Sequence, residues 1–328
     1  MNRRAFAAVV AGVAAGLGGA GAMRLWQSGG RIASGPLGPS DLPLRRLGRT
    51  GQQLPILGLG GHHLGLAGSE RAARGLVETA LEEGIRFFDT AESYQGGLSE
   101  RWLGGAIREV RSQVFLMTKT HSPADRSAES ARQHLEGSLT RLGTDYLDLW
   151  QLHSTKSPED VDRAFRPGGA MDYIFEAKKR GTVRFVGVTG HMTAAAHARA
   201  LEYWDDGWQF DTLQFPVNPI DHHQASFQQT LIEAARERDI AVIAMKTSAD
   251  GALVREGVCR HEECLRYVWS LPVSVAVVGM ERAELVRRNA EVARSGAFMD
   301  EEERQALLER ILPRVDPRLE WYKPAAGA

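Results

Sequence analysis

Asp89, Tyr94, Lys119 and His153 are the residue types that handle a proton at a carbonyl oxygen. A free tyrosine, with a pKa of about 10, is a poor acid at neutral pH. A lysine ammonium beside the phenol favours phenolate and pulls that pKa down. A carboxylate paired with the lysine keeps it charged and in place. A histidine at the same point can share a hydrogen bond with a carbonyl oxygen. Together they make a proton donor matched to a developing alkoxide, an effect of about 10²–10⁴-fold. The set contains no strong nucleophile, and no base-activated Ser or Cys is evident. It suits addition of hydride to a carbonyl, with the protein supplying the proton and a cofactor the hydride.

These residues lie far apart in the chain, so a repeating scaffold must bring them together. From residue 44 onward, short apolar runs alternate with helical stretches. Runs 44–47 and 52–55 flank Gly48-Arg49-Thr50-Gly51 and predict a hairpin. Eight further strands are predicted at 56–60, 86–89, 114–119, 146–153, 184–189, 212–215, 241–246 and 273–279. Residues 71–83 and 127–142 carry helical spacing. Ser157-Pro158-Glu159-Asp160 reads as a helix start, and Gly181 after Lys178-Lys179-Arg180 as a helix stop. Several strands are nearly all apolar, as in a parallel sheet covered on both faces. The expected fold class is α/β, a (β/α)8 TIM barrel with an N-terminal β-hairpin. A doubly wound sheet is the alternative. A barrel places chemistry just after the C-terminal ends of its strands. Asp89, Tyr94, Lys119, His153, Thr189, Gln214 and Lys246 interrupt the chain there.

Composition narrows the classes. The chain has 328 residues, 43% hydrophobic and 25% charged, with a net charge of −1. No basic excess points to nucleic acid. Cys259 and Cys264 are the two cysteines and form no C-x-x-C pair. The adjacent His62-His63 and His222-His223 raise a metal-dependent hydrolase as a further class. Neighbours on a strand point to opposite faces, however, and no metal site is expected. Residues 1–22 open with Arg3-Arg4, then Phe6 and a mild apolar stretch ending Ala20-Gly21-Ala22. They resemble a twin-arginine export signal. The expected organisation is a signal over 1–22, a Gly/Ser/Pro-rich linker over 23–43, and a barrel over 44–328. The expected partner is the twin-arginine export machinery, and the destination is periplasmic or secreted. Without a working signal the chain would stay cytoplasmic. No stable membrane span is expected after cleavage.

The motifs also carry a family resemblance. Gly84 to Tyr94 (G-I-R-F-F-D-T-A-E-S-Y) resembles the first signature of the aldo-keto reductases, and Gly97-Leu98-Ser99-Glu100 with Leu103-Gly104 continues it. Phe115 to Thr120 resembles the family's lysine strand and Leu142 to His153 its histidine strand. Met171 to Thr189 resembles the second signature. The resemblance covers about residues 44–295. It implies Tyr94 as proton donor, Lys119 lowering its pKa, Asp89 holding Lys119, and His153 orienting the carbonyl. It also implies an extended nicotinamide cofactor across the barrel mouth, NADP with NAD as the alternative. Gly61 and His62 match positions beside the ribose and nicotinamide. Thr189-Gly190 and Gln214 match the carboxamide site, where Gly190 replaces a common Asn. Val217 replaces a common stacking aromatic. Lys246 could reach the pyrophosphate, and Gly279, Arg282 and Asn289 match the adenosine site. Glu281 opposes a 2′-phosphate that Arg282 could bind.

Substrate would be a small carbonyl compound or alcohol. His63, Trp150, Tyr173 and Trp204 are candidate pocket aromatics, loops 122–126 and 250–260 candidate lids, and 314–328 a tail over the mouth. The competing reading is a weakly catalytic, cofactor-binding sensor or partner subunit.

Overall fold

Each predicted apolar run forms a strand. They are β3 (Leu57–Gly60), β4 (Phe87–Asp89), β5 (Phe115–Thr120), β6 (Leu147–Leu152), β7 (Val183–Thr189), β8 (Thr212–Pro216), β9 (Ala241–Met245) and β10 (Val275–Gly279). Every neighbouring pair is parallel, and β10 closes the ring by pairing with both β9 and β3. The fold is therefore a (β/α)8 barrel and not an open doubly wound sheet. The predicted hairpin is also present, β1 (Leu44–Arg46) running antiparallel to β2 (Gln53–Pro55). The structure, a computed structural model, describes residues 37–120 and 124–323. The export signal expected over 1–22 lies outside the described residues.

Helices follow the strands. They are α1 (Glu70–Glu82), α2 (Leu98–Ile107), α3 (Ala128–Leu142), α4 (Pro158–Phe165), α5 (Ala170–Arg180), α6 (Ala194–Asp205), α7 (Phe227–Glu237), α8 (Ala252–Arg255), α9 (His261–Trp269), α10 (Ala283–Ser295) and α11 (Glu301–Ile311). Ser69, Ser127, Ser157, Thr193 and Ser226 each accept a first-turn backbone N–H, so several helices start on a side-chain cap. The Gly181 stop after α5 is present, in the left-handed conformation. No helix among the described residues is long and apolar enough to cross a membrane.

Two-residue periodicity divides the strand side chains between the barrel interior and the helix layer. Phe87, Phe115, Met117, Leu149, Ile243 and Val275 point inward with Leu47 and Leu54 of the hairpin, all fully buried. Phe87 stacks on Phe115 at 5.3 Å, and Phe115 on Phe185 at 6.2 Å. The hairpin thus plugs the end of the barrel where the strands begin. The interior is packed, so polar groups gather at the opposite rim. Residues 37–43, within the stretch expected as linker, are held to the barrel. Leu42 is buried, the Pro39 carbonyl accepts from Arg86, and Asp41 pairs with Arg294.

His197 in α6 is fully buried against Phe215 and Phe227, behind Gln214. Burial brings its pKa down to about 4. An unfolded histidine takes up its proton near pH 6.5, whereas the folded one stays neutral until about pH 4. Unfolding free energy should therefore fall as pH drops through that window, by up to about 3 kcal/mol. Urea titrations at stepped pH should show this limb in the native protein and a flatter one in His197→Gln; parallel curves would contradict the assignment.

Candidate active site

Register decides which side chains meet at the rim. Asp89 lies opposite Met117, and Lys119 sits one inward position beyond it, opposite Gln151. The Lys119 side chain bends back to Asp89. Both are buried, and the ammonium donates to Asp89 Oδ1, to the Thr90 carbonyl at 2.9 Å and towards the Tyr94 hydroxyl at 3.4 Å. All three ammonium protons therefore have acceptors. The second Asp89 oxygen accepts from Gln214 Nε2 at 2.8 Å. Tyr94 stands between His62 and His153, with ring centroids at 5.2 and 6.1 Å, edge to face. The structure thus brings Asp89, Tyr94, Lys119 and His153 together, as the strand-end reading requires.

The electrostatics differ from the simplest expectation. Burial pushes the Tyr94 phenol up, Lys119 pulls it down, and the balance lies above the ordinary tyrosine value. Burial disfavours the Lys119 ammonium, but Asp89 and Tyr94 outweigh it and hold its pKa above the usual lysine value. Tyr94 accordingly carries its proton at neutral pH. Partial burial of the ring, then the neighbouring His63, lowers the His62 pKa below the ordinary histidine value. The loop carrying Tyr94 is anchored from behind. Glu92 pairs with His134 at 2.8 Å, and Glu100 takes Thr118 and Arg141, each at 2.6 Å.

The expected cofactor positions also lie along the rim. Gly61 is buried where its N–H donates to the Asp89 carbonyl at 2.7 Å, and a β-carbon there would collide with that carbonyl. His62 is exposed beside Tyr94. Thr189 is buried and pairs in register with Gln214. Gln214 Oε1 has no partner, so it is open to an amide donor. Gly190 cannot carry an amide here. A β-carbon would meet Thr155 within 2.6 Å, and the Gly190 N–H already donates to the Gln214 carbonyl. Glycine at this position leaves room for Thr155. At the other end, Asn289 is buried, with Oδ1 at 2.9 Å from His261 Nε2, and its Nδ2 has no partner. Gly279 ends β10 beneath the His63 ring, and Arg282 is exposed at the start of α10. Among the described residues four buried side-chain amide atoms lack a partner, those of Gln95, Gln151, Gln214 and Asn289; the last two fit a ligand with a carboxamide and a base.

Lys246 shows what sequence reasoning missed. Its ammonium lies over the rings of Trp321 and Tyr322 at 5.1 and 4.9 Å, with Asp250 at 3.9 Å. Burial lowers its pKa, and Asp250 opposes that. The tail is pinned by Tyr322 and Glu320, both bonded to Asn218, and by Lys323, which bonds Asp221 and Glu320. The expected tail is therefore docked, as far as Lys323, on the loops after β8 and β9. Trp150 and Tyr173 do not line a pocket; both pack in the layer between barrel and helices, and Trp204 bonds the Phe210 carbonyl. His63 alone of those four aromatics reaches the rim. Residues 252–255 of one expected lid form α8, and Arg126 of the other is buried.

A family model described as Aldo/keto reductase family matches residues 56–263. The chain belongs to the aldo/keto reductase family, a family of oxidoreductases. The uncharacterized oxidoreductase YrpG of Bacillus subtilis is 31% identical over 229 residues, which is 63% of this chain and 67% of that protein. L-galactose dehydrogenase of Arabidopsis thaliana is 33% identical over 168 residues, 46% of this chain and 49% of that one. The match thus spans about half to two thirds of these relatives. The holo form of an aldo-keto reductase from Bacillus halodurans superposes with a TM-score of 0.71 at 22% identity, covering 85% of this chain and 99% of that one. An aldo-keto reductase from Klebsiella pneumoniae, solved in complex with NADPH, gives 0.64 at 24% identity, over 81% and 94%. Both show the fold.

Removing one partner of the Lys119–Asp89 pair strands a buried charge, at a cost of about 3–5 kcal/mol. Lys119→Met and Asp89→Leu should each cost that much in urea denaturation, and the double variant should cost less than either alone. Additive losses would mean that the pair is not coupled.

Proposed function

We propose that this protein is a nicotinamide-dependent oxidoreductase that reduces an aldehyde or ketone to an alcohol, or runs the reverse. The observation that carries this reading is the Lys119 ammonium shared between buried Asp89 and the Tyr94 hydroxyl. A bound reduced nicotinamide would supply the hydride. Gly61, His62, Thr189 and Gln214 would hold its nicotinamide half, and Lys246, Gly279, Arg282 and Asn289 the phosphates and adenosine. The free Gln214 Oε1 suits a carboxamide N–H, and the free Asn289 Nδ2 suits an acceptor on the base. NADP is favoured by Arg282, a fork donor for a 2′-phosphate, and by the NADPH in the Klebsiella relative.

The chain's own residues perform the proton chemistry. The substrate carbonyl oxygen sits between the Tyr94 hydroxyl and the His153 ring. His153 fixes its direction and Tyr94 gives it a proton as negative charge builds there. Lys119 stabilises the phenolate left behind, and Asp89 keeps Lys119 charged. In the reverse direction the phenolate takes the alcohol proton. The packed interior below Lys119 and Asp89 limits water on that side.

Tyr94→Phe should lower carbonyl reduction about 10²–10⁴-fold while leaving NADPH affinity within a few-fold. Oxidation of NADPH and NADH over a panel of aldehydes, ketones and quinones measures this, and equal turnover in the variant would sink the acid role. Tight cofactor binding by native protein with silence across the panel would favour the sensor reading. We also propose that Arg3-Arg4 direct export of the folded chain through the twin-arginine machinery. Arg3→Lys with Arg4→Lys should then keep the protein in the cytoplasm; fractionation that still finds it outside would remove this proposal.

A further inference from the structure

A buried ion pair outside the tetrad grips the chain just after His153. Arg126 lies between β5 and α3, and Asp160 in the first turn of α4; each is about 3% exposed. Arg126 Nε and Nη2 bind the two Asp160 oxygens at 3.0 and 2.8 Å, a fork on a carboxylate. The same guanidinium reaches the His153 carbonyl from Nη1 at 3.0 Å and the Ser154 carbonyl from Nη2 at 3.2 Å. Four of its five N–H donors are used in this way. Asp160 is fixed in turn by the Lys156 N–H at 3.1 Å and by Arg163 at 2.8 Å.

The two carbonyls flank a strained residue. Ser154 has φ of +56°, the left-handed region that costs a non-glycine residue roughly 1–2 kcal/mol. That conformation turns both neighbouring carbonyls towards one guanidinium. On the other side the His153 N–H donates to the Thr120 carbonyl at 2.9 Å. The backbone of His153 is thus held at both ends, by β5 on one side and by Arg126 on the other. A buried ion pair is weak evidence for stability, since apolar residues of the same size often serve as well. What an apolar pair could not do is hold two carbonyls at the turn that aims His153.

We propose that Arg126, braced by Asp160, is a positioning residue that sets the direction of the His153 ring at the carbonyl site. The kinetic side of this rests on the carbonyl-reductase reading; the positioning of His153 does not. Lysine at 126 keeps the charge and can reach Asp160, but it lacks the planar fork needed to hold both carbonyls as well. Arg126→Lys should therefore fold, bind NADPH within two-fold of native, and lose about 10- to 100-fold in kcat with 4-nitrobenzaldehyde. Asp160→Asn should lose kcat in the same direction.

The readout that a merely structural role would not move is the His153 ring itself. In mature protein labelled with ¹³C-histidine, the His153 Cε1–H signal is assigned by its loss in His153→Gln. Its titration midpoint should move by half a pH unit or more in Arg126→Lys and in Asp160→Asn. Both variants giving native kcat and a native His153 titration would overturn the proposal. If native protein turns over no carbonyl in the panel, the reductase reading fails separately. The His153 titration then decides the positioning role alone, an unmoved midpoint refuting it and a moved one supporting it.

Discussion

The buried Lys119–Asp89 pair is the constraint around which the mouth of this barrel is organised. Two charges taken out of water are tolerated only when each polar atom finds a partner. The ammonium has three protons and three acceptors. The carboxylate has two oxygens, one for Lys119 and one for Gln214. Satisfying the lysine therefore orients the phenol, since the third acceptor is the Tyr94 hydroxyl. Satisfying the aspartate orients Gln214 and leaves its carbonyl oxygen free. Desolvation, the usual penalty for burial, here becomes the device that fixes which atoms face a ligand.

The same rule explains how the loops are held. Below the pair lies a mainly aromatic and aliphatic interior closed by the hairpin, where the Gln151 amide donates to the Thr212 hydroxyl. Loops at the rim must therefore find partners among one another and the helices. Glu100, fully buried, joins Thr118 of β5 to Arg141 of α3 behind the Tyr94 loop. Asn218 gathers Tyr322, Glu320 and the Lys246 carbonyl behind the tail. Arg126 joins Asp160 to the turn after His153. Each network joins segments far apart in the chain, so the elements around the rim brace one another.

Most of the fold was legible because its strands are nearly continuous apolar runs with turn residues between them. The expected and observed strand boundaries differ by one or two residues. The eighth run starts at Val273 in sequence and the strand at Val275, although the Ser274 N–H already donates to the Val242 carbonyl of β9. The four tetrad residues were legible because charged and polar types at the ends of apolar strands need a reason to be there. The braces were not. Arg126 and Asp160 are 34 residues apart, and His261 and Asn289 are 28 apart. Neither spacing has a period, so neither partnership shows in the chain, although Asp160 falls in the expected helix start and Asn289 in the expected adenosine site. Trp150 misled for a related reason. Its side chain belongs to the parity of β6 that faces the helices, whereas Leu149 and Gln151 face inward.

The raised pKa of Tyr94 is consistent with its use as a donor. A group that must give up a proton has to carry one when substrate arrives, and burial ensures that. In the proposed reaction the transition state would be helped by what happens as the proton leaves. A phenolate at Tyr94 would form about 3.4 Å from a lysine ammonium that Asp89 keeps charged. Burial without Lys119 would also give a protonated phenol, but one too weak an acid to protonate an alkoxide readily. Lys119 without burial would act through water and be screened. The proposed proton transfer would therefore need both opposing influences on Tyr94, and the barrel supplies them together, its packed interior burying the phenol and its strand register placing the lysine.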